Sequence, residues 1–314
     1  AHVSHAILGG AINHGVFDWE ETRGSEFNAK GAFLTQLNAG PDEVVAGVRF
    51  MTIRSDSNDK YAQPDGRFLG KPGRATHIGY DGPALKGAEN VVIPTIDHRE
   101  TAFSPLAFAE MYRFVTGRAP VRTDIAPESE VVLNGKVNAM PGGVATNLPV
   151  AGAMVEIYEV SATTGTRLGA AAHAKTTGDD GLWGPFRAKP GAYYEFVVQA
   201  PGRAITHIYR SPFARSSDIV HLRPASLAKG EDAAGSVVMI NRPRGYFGHG
   251  RDTFLLDGKV PPGINQGVPG TSVGKLLLPE GPLRPVPARF NDETMTLQNW
   301  PAKDNHVVIG EFHF

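Results

Sequence analysis

The chain has no cysteine among its 314 residues. Disulfides and thiolate metal sites are therefore excluded, and the redox compartment stays open between cytosol and bacterial exterior. It has no excess charge of either sign: 31 Lys and Arg stand against 32 Asp and Glu, a formal net charge of −1. That balance gives no electrostatic support to a nucleic-acid or anionic-membrane partner. No apolar run approaches the roughly 20 residues of a membrane-spanning helix. No histidines are spaced H-x-x-x-H or H-x-H. His77, His207 and His249 are scattered, so no metal and no cofactor is expected.

What is present reads as a folded protein. Hydrophobic residues make up 41% of the chain and charged residues 20%, which argues against disorder. The 37 glycines and 24 prolines point to many turns and short strands. The length suits two or three domains. The opening, Ala1 to Leu8, has no initiator Met and not the form of a signal peptide. It reads as a strand already in progress, which leads us to expect a processed fragment.

Residues 1–121 alternate strand and helix patterns. Residues 3–8 form an apolar run that stops at Gly9 and Gly10. Residues 27–37 carry Phe33, Leu34 and Leu37 at helical spacing before Gly40 and Pro41. Residues 44–53 and 90–96 read as two further strands. Ser104 suits an N-cap, Pro105 the first helical position and Gly117 the C′ stop. Such alternation predicts a parallel sheet with helices on its faces. The loop after the second strand carries Asp56 and Asp59; the loop after the third carries His98.

A polar linker over 118–129 separates this part from a different pattern. Residues 131–137, 153–160, 193–200 and 219–223 read as strands, punctuated by turns at Asp179-Asp180-Gly181 and Lys189-Pro190-Gly191. We expect a small β-sandwich over 128–224. Residues 225–314 again read as β, with strands at 236–240, 253–256, 275–278 and 307–314. Prolines at 261, 262, 269, 279, 282, 285, 287 and 301 leave little room for helices there.

Two stretches carry a family resemblance. "TIRSDSNDKYAQPDG" followed by "DHRETAFSPLAFAEMYRFVTG" resembles the end of the catalytic domain of bacterial extracellular lipases and esterases of the α/β-hydrolase superfamily. The opening "HVSHAILGGAINHG" resembles the strand after that family's nucleophile helix, with the loop that begins the lid. The resemblance covers residues 1 to about 120. It implies the last part of an α/β-hydrolase sheet, with His98 as the catalytic histidine and Asp59 as the triad acid. Asp56 is the alternative acid, since loop geometry decides between them. The fold class expected is thus α/β followed by two all-β domains, with domains at 1–121, 128–224 and 225–314.

The family pattern needs G-x-S-x-G between a strand and a helix. No such elbow precedes Asp59. The match Gly270-Thr271-Ser272-Val273-Gly274 lies far past His98, and the Pro279-Glu280-Gly281-Pro282 that soon follows cannot make the required helix. It reads as a β-turn. The serine and oxyanion hole are therefore expected on a companion N-terminal chain of the same precursor, sharing the sheet. The resemblance further implies a secreted serine ester hydrolase acting on lipids or other esters. The rivals are a polyester depolymerase and a non-catalytic polymer-binding module built from the β domains.

Other residues have plainer readings. Asp97 and Glu100 flank His98 and read as surface loop charges. His14 reads as a structural hydrogen-bond partner. Asp56, Asn58, Asp59 and Asp65 do not have the spacing of an EF-hand calcium loop. Phe17, Trp19 and Phe33, with Phe27 and Phe68, are candidates either for an acyl-binding wall or lid, or for packing of a helix and its entry loop. The irregular stretch 66–85 is long enough to be functional. Residues 128–224 resemble a transthyretin-like or carboxypeptidase-regulatory-like sandwich through "VVLNGKV", "LPVAGAMVEIYEV" and "TTGDDGLWGPFRAKPGAYYEFVVQAPG". Trp183 and Phe186 there read as packing residues, with polymer contact as the alternative.

Overall fold

Three apolar runs early in the chain become parallel strands: β1 (His5–Gly9), β2 (Arg49–Ser55) and β3 (Glu89–Ile93). They pair in the order β1-β2-β3, with His5 opposite Arg49 and Met51 opposite Glu89. The computed structural model describes residues 2–56, 58–74, 76, 78–79 and 82–313, so His77 lies outside the described residues. Within them the chain is mostly β, with few helices.

The central strand β2 buries Met51, Thr52 and Ile53 in succession, as a strand covered on both faces must. It begins at Arg49 rather than at residue 44, because a turn with Gly47 at φ 81° precedes it. The expected helix over 27–37 shortens to α1 (Ala32–Leu37). Before it, the buried Asn28 side chain donates to the Trp19 carbonyl at 2.6 Å and accepts from Lys30 N–H at 2.9 Å, which holds residues 28–31 in a turn.

Two helices follow β3: α2 (Glu100–Phe103) and α3 (Pro105–Thr116). Ser104 caps α3 by accepting from Ala107 N–H at 3.1 Å, and Gly117 ends it at φ 76°. Ala107 and Phe114 of α3 share a core with Met51, Ile53, Ile93 and Ile96. Each such fully buried large side chain contributes roughly 1.5–3 kcal/mol. This core seats the last helix against the sheet and so places the loops at the strands' carboxyl ends.

The chain forms two compact units. The first comprises Ala1–Asp124 together with Arg244–Gly248 and Asn265–Gly270; the second comprises Ile125–Pro243, His249–Ile264 and Thr271–Phe314.

The second unit is built of β-strands with three short 3₁₀ turns, Pro141–Gly143, Glu231–Ala233 and Ala302–Asp304. Its strands are β4 (Val131–Leu133), β5 (Met154–Val160), β6 (His173–Thr176), β7 (Phe186–Ala188), β8 (Tyr193–Gln199), β9 (Ile205–Arg210), β10 (Ser236–Asn241), β11 (Phe254–Leu256), β12 (Val273–Leu278), β13 (Pro285–Phe290), β14 (Glu293–Gln298) and β15 (His306–Glu311). A seven-stranded sheet runs β12-β10-β15-β9-β8-β5-β6, beside a three-stranded sheet β11-β13-β14 and the pair β4-β7. Val131, Leu133, Phe186 and Ala188 of the pair share one core with Val155, Ile157, Phe196 and Val198 of the large sheet, so sheet faces sheet.

The last strand, β15, enters between β9 and β10 and runs parallel to both. The seven-stranded sheet thus draws strands from both sides of the expected boundary at 224/225. Residues 219–223 form no ladder; Leu222 makes only an isolated bridge to Val137. Pro285 and Pro287 do enter a strand, at the part of β13 that pairs with β14 alone, beyond its ladder with β11.

Candidate active site

Hydrogen bonds stitch together the loops that follow β2 and β3. Ser55 Oγ donates to the Ile96 carbonyl. Thr95 N–H donates to Asp56 Oδ2 at 3.0 Å, and Asn58 Nδ2 donates to the Thr95 carbonyl at 2.8 Å. Asp56 Oδ1 also accepts from Asn58 N–H at 3.1 Å. Asp56 therefore ties the two loops together through backbone amides. Thr95, at φ 67°, is held in the left-handed region by these contacts.

This stitching brings Asp59 against His98. His98 Nδ1–H donates to Asp59 Oδ2 at 2.9 Å. The other carboxylate oxygen accepts from Tyr61 N–H at 2.8 Å, so Asp59 also caps the 3₁₀ turn Lys60–Ala62. The Asp59 side chain is 5% exposed and that of His98 28%, which shelters the acid and leaves the imidazole open on one side. Tyr61 stands edge-on to the imidazole, with ring centroids 4.6 Å apart. Thr101 Oγ1 donates to the His98 carbonyl at 2.7 Å. On the other side lies Gly10, just past β1, at φ 60°. With Nδ1–H committed to the carboxylate, Nε2 carries the lone pair and can act as a general base.

The charges that flank His98 are not surface decoration. Asp97 is fully buried. Its Oδ1 accepts from Arg99 N–H at 2.9 Å and Glu100 N–H at 3.1 Å, while Glu100 Oε2 accepts from Asp97 N–H at 2.7 Å. This is a reciprocal capping arrangement, and it starts α2 directly beside the histidine. Asp97 Oδ2 accepts a third bond, from Tyr246 N–H at 2.7 Å. The Tyr246 ring lies between two cations, Lys60 Nζ at 4.4 Å and the Arg99 guanidinium at 4.6 Å. Burial pushes the Tyr246 phenol up to about 12, with Arg99 opposing and the Tyr61 hydroxyl adding to the rise.

A cavity of about 70 Å³ adjoins the acid, lined in part by Gly10, His14, Arg54, Asp59, Tyr61 and Asn90. His14 Nε2–H donates to Glu43 Oε2 at 2.8 Å. Burial would raise the Glu43 carboxyl, but the Lys86 amide and His14 outweigh it and hold Glu43 below its ordinary range. The candidate wall residues Phe17, Trp19 and Phe33 do not line this cavity. Phe17 stacks on Trp19 at 4.4 Å, Trp19 is buried beneath the Arg74 guanidinium, and Phe33 is exposed on α1. Phe27 is exposed as well.

Among the described residues no group of three or more His, Asp or Glu gathers to hold a metal. Asp56 and Asp59 already serve amides and the imidazole, and Asp65 accepts from Arg67 N–H. No helix among them is long and apolar enough to cross a membrane.

In the second unit, Ser272 accepts Arg242 N–H through its carbonyl and leads directly into β12, so it stands at a strand entry and not at a strand-to-helix elbow. Trp183 is fully buried and its Nε1–H donates to the Val220 carbonyl at 2.9 Å, while Phe186 is buried beside it, so both are packing residues. His207 is buried in the large sheet and His249 meets Phe254 edge-on. Sequence reasoning missed Tyr61, Gly10 and Tyr246. Tyr61 was findable, being two residues past a candidate acid. Tyr246 was not, since 149 positions separate it from Asp97.

A family model described as the lipase C-terminal domain matches residues 129–227. That span, less than half of the chain, is a lipase-related domain. No curated protein matches the chain. Among solved structures, the shaft pilin SpaA from Lactobacillus rhamnosus GG is 15% identical, covering 57% of this chain and 96% of the pilin with a TM-score of 0.23. A fimbrial protein from Bacteroides ovatus is 11% identical, covering 59% of this chain and 50% of the other with a TM-score of 0.20. Likeness at that level carries nothing about fold or function.

Proposed function

We propose that this chain is the C-terminal part of a lipase-like serine ester hydrolase of the α/β-hydrolase superfamily, acting outside a bacterial cell. The carrying observation is the 2.9 Å bond from His98 Nδ1–H to the sheltered Asp59, at the ends of neighbouring parallel strands. The lipase-related domain over 129–227 adds independent support. In this reading the serine and the oxyanion hole are supplied by a companion N-terminal chain of the same precursor.

His98 Nε2 takes the proton of the companion serine as its oxygen attacks the ester carbonyl. The imidazolium then gives that proton to the departing alkoxide, leaving an acyl-enzyme. Water repeats the sequence and releases the acid. Asp59 holds the imidazole in the required tautomer and stabilises its charged form.

The test is labelling and turnover in the assembled protein. A serine-directed fluorophosphonate should label a co-purifying companion chain, and His98→Ala and Asp59→Asn should each abolish most hydrolysis of chromogenic esters. Unchanged rates in both variants would reject the assignment. A substrate panel with lipids and polyesters separates a lipase from a depolymerase.

A further inference from the structure

The loop that carries the acid and the loop that carries the histidine are each gripped by one residue from a distant part of the chain. We propose that Tyr246, in the segment Arg244–Gly248 that clusters with the first unit, is a positioning residue that sets the His98 imidazole against Asp59. The proposal rests on the reading of His98 as general base.

Three contacts, one backbone hydrogen bond and two cation–π contacts, converge on this one residue. Its backbone N–H donates to buried Asp97 Oδ2 at 2.7 Å. Asp97 is the residue before His98, and its other oxygen caps the helix that begins just after it. Its ring receives Arg99, the residue after His98, at 4.6 Å. The histidine is therefore clamped on both sides through Tyr246. The same ring receives Lys60 Nζ at 4.4 Å. Lys60 follows Asp59 directly, and its Nζ also lies 4.8 Å from the Tyr61 ring and donates to the Gly270 carbonyl at 3.1 Å. The Tyr61 ring in turn stands edge-on to the imidazole. Tyr246 thus grips the neighbours of both members of the pair.

The geometry calls for such a clamp. Neither loop is regular beyond the single turns Lys60–Ala62 and Glu100–Phe103, and the imidazole is partly open to solvent. Asp56 and Asn58 tie the loops together near the strand ends through Thr95, while the residues that flank Asp59 and His98 themselves are fixed farther out, where Tyr246 holds Lys60, Asp97 and Arg99. Tyr246 is 4% exposed, so its ring is itself held by packing. Cation–π contacts made on a desolvated ring are stronger than those made in water.

The test reads the imidazole directly, using the intact chain. The His98 Nδ1–H that bonds Asp59 should give a far-downfield proton resonance, identified by its disappearance in Asp59→Asn. Tyr246→Ala should broaden or lose that resonance, while Tyr246→Phe, which keeps the ring between the two cations, should retain it. In the assembled enzyme, Tyr246→Ala should lower kcat about 10–100-fold, with KM altered far less, because a small misplacement of the base costs turnover before binding. Tyr246→Phe should recover most of it. If Tyr246→Ala does not fold, Tyr246→Leu fills the volume without a π-face and serves the same purpose. A folded Ala or Leu variant with the wild-type resonance overturns the proposal. If instead that resonance is lost in Tyr246→Ala while Asp59→Asn leaves ester hydrolysis intact, the positioning role stands and the ester-hydrolase reading falls.

Discussion

Gly10 lies directly against the His98 imidazole: a Cβ on it would come within 2.8 Å of Cε1 and 2.9 Å of Nδ1. No side chain fits there, and the residue's φ of 60° is one that only glycine adopts cheaply. The glycine after β1 is therefore part of the seat of the histidine. Gly10→Ala is expected to push the imidazole off Asp59, cutting ester turnover by about a hundredfold, while the left-handed strain costs about 1–2 kcal/mol of stability. Steady-state kinetics beside a thermal melt checks both. A variant with wild-type turnover would mean the ring has another resting place.

The two candidate acids separate by what they bond. Asp59 reaches the imidazole; Asp56 reaches the amides of Asn58 and Thr95. Asp59→Asn is expected to cost about 10⁴ in kcat with little change in stability. Asp56→Asn is expected to cost about 1–3 kcal/mol of stability, because bonds from backbone amides to a carboxylate are weakened, with less than about a tenfold loss of turnover. Kinetics and denaturant titration on both variants decide it; the reverse ranking would make Asp56 the acid.

A second polar network contributes to the response to acid in the β unit. Buried His207 donates from Nδ1 to Glu195 at 2.6 Å, and its Nε2 faces His306 Nδ1 at 2.8 Å. Arg167 Nε donates to the same carboxylate at 2.6 Å, and Trp300 stacks on His207 at 4.6 Å. Burial, and then the charge on His207, depress His306, with Arg167 adding to the fall while Asp304 and Glu195 oppose it. A base whose folded pKa lies below its ordinary value binds protons more readily when unfolded. Its contribution is therefore full above about 6.5 and is lost as pH falls below that. Calorimetry should show the β unit melting lower at pH 5 than at pH 7, and His306→Gln should flatten that slope. An unchanged slope in the variant would place the acid sensitivity elsewhere.

The core of the sandwich makes a sharper demand. A Cβ on Gly135 would fall 1.9 Å from the Val220 carbonyl oxygen, the same oxygen that accepts from Trp183 Nε1–H. Trp183→Ala is expected to cost about 3–5 kcal/mol. Gly135→Ala is expected to unfold this unit or force the 217–222 segment away. Urea titration measures the first, and a near-ultraviolet circular dichroism spectrum reports the second through Trp183.

Much of the first unit was legible because its information is local. Ser104, Pro105 and Gly117 mark the two ends of α3 by the chemistry of single residues. The apolar runs over 3–8, 44–53 and 90–96 announce strands, and the loops after the last two carry Asp59 and His98. Asp97 misled, because a charged residue beside a loop histidine looks solvated until the backbone amides that fill its oxygens are seen. The short strands β6 and β7 carried too few residues for a period-2 pattern to show. β13 was obscured by Pro285 and Pro287, which its ladder tolerates because that stretch pairs with β14 on one side only.

By itself the sequence determined the order of elements in the first unit, the caps of its last helix, the absence of thiol chemistry, and which two loops bear a carboxylate and an imidazole. Those properties reside in neighbouring residues and their spacing along the chain. Only the tertiary structure decided that Asp59 and not Asp56 faces His98, that Tyr246 grips both loops, and that β15 enters the sheet between β9 and β10. Contacts across 39 to 186 positions (98 − 59 and 246 − 60) depend on how the core closes, and no local pattern of side chains records which distant partner will be there.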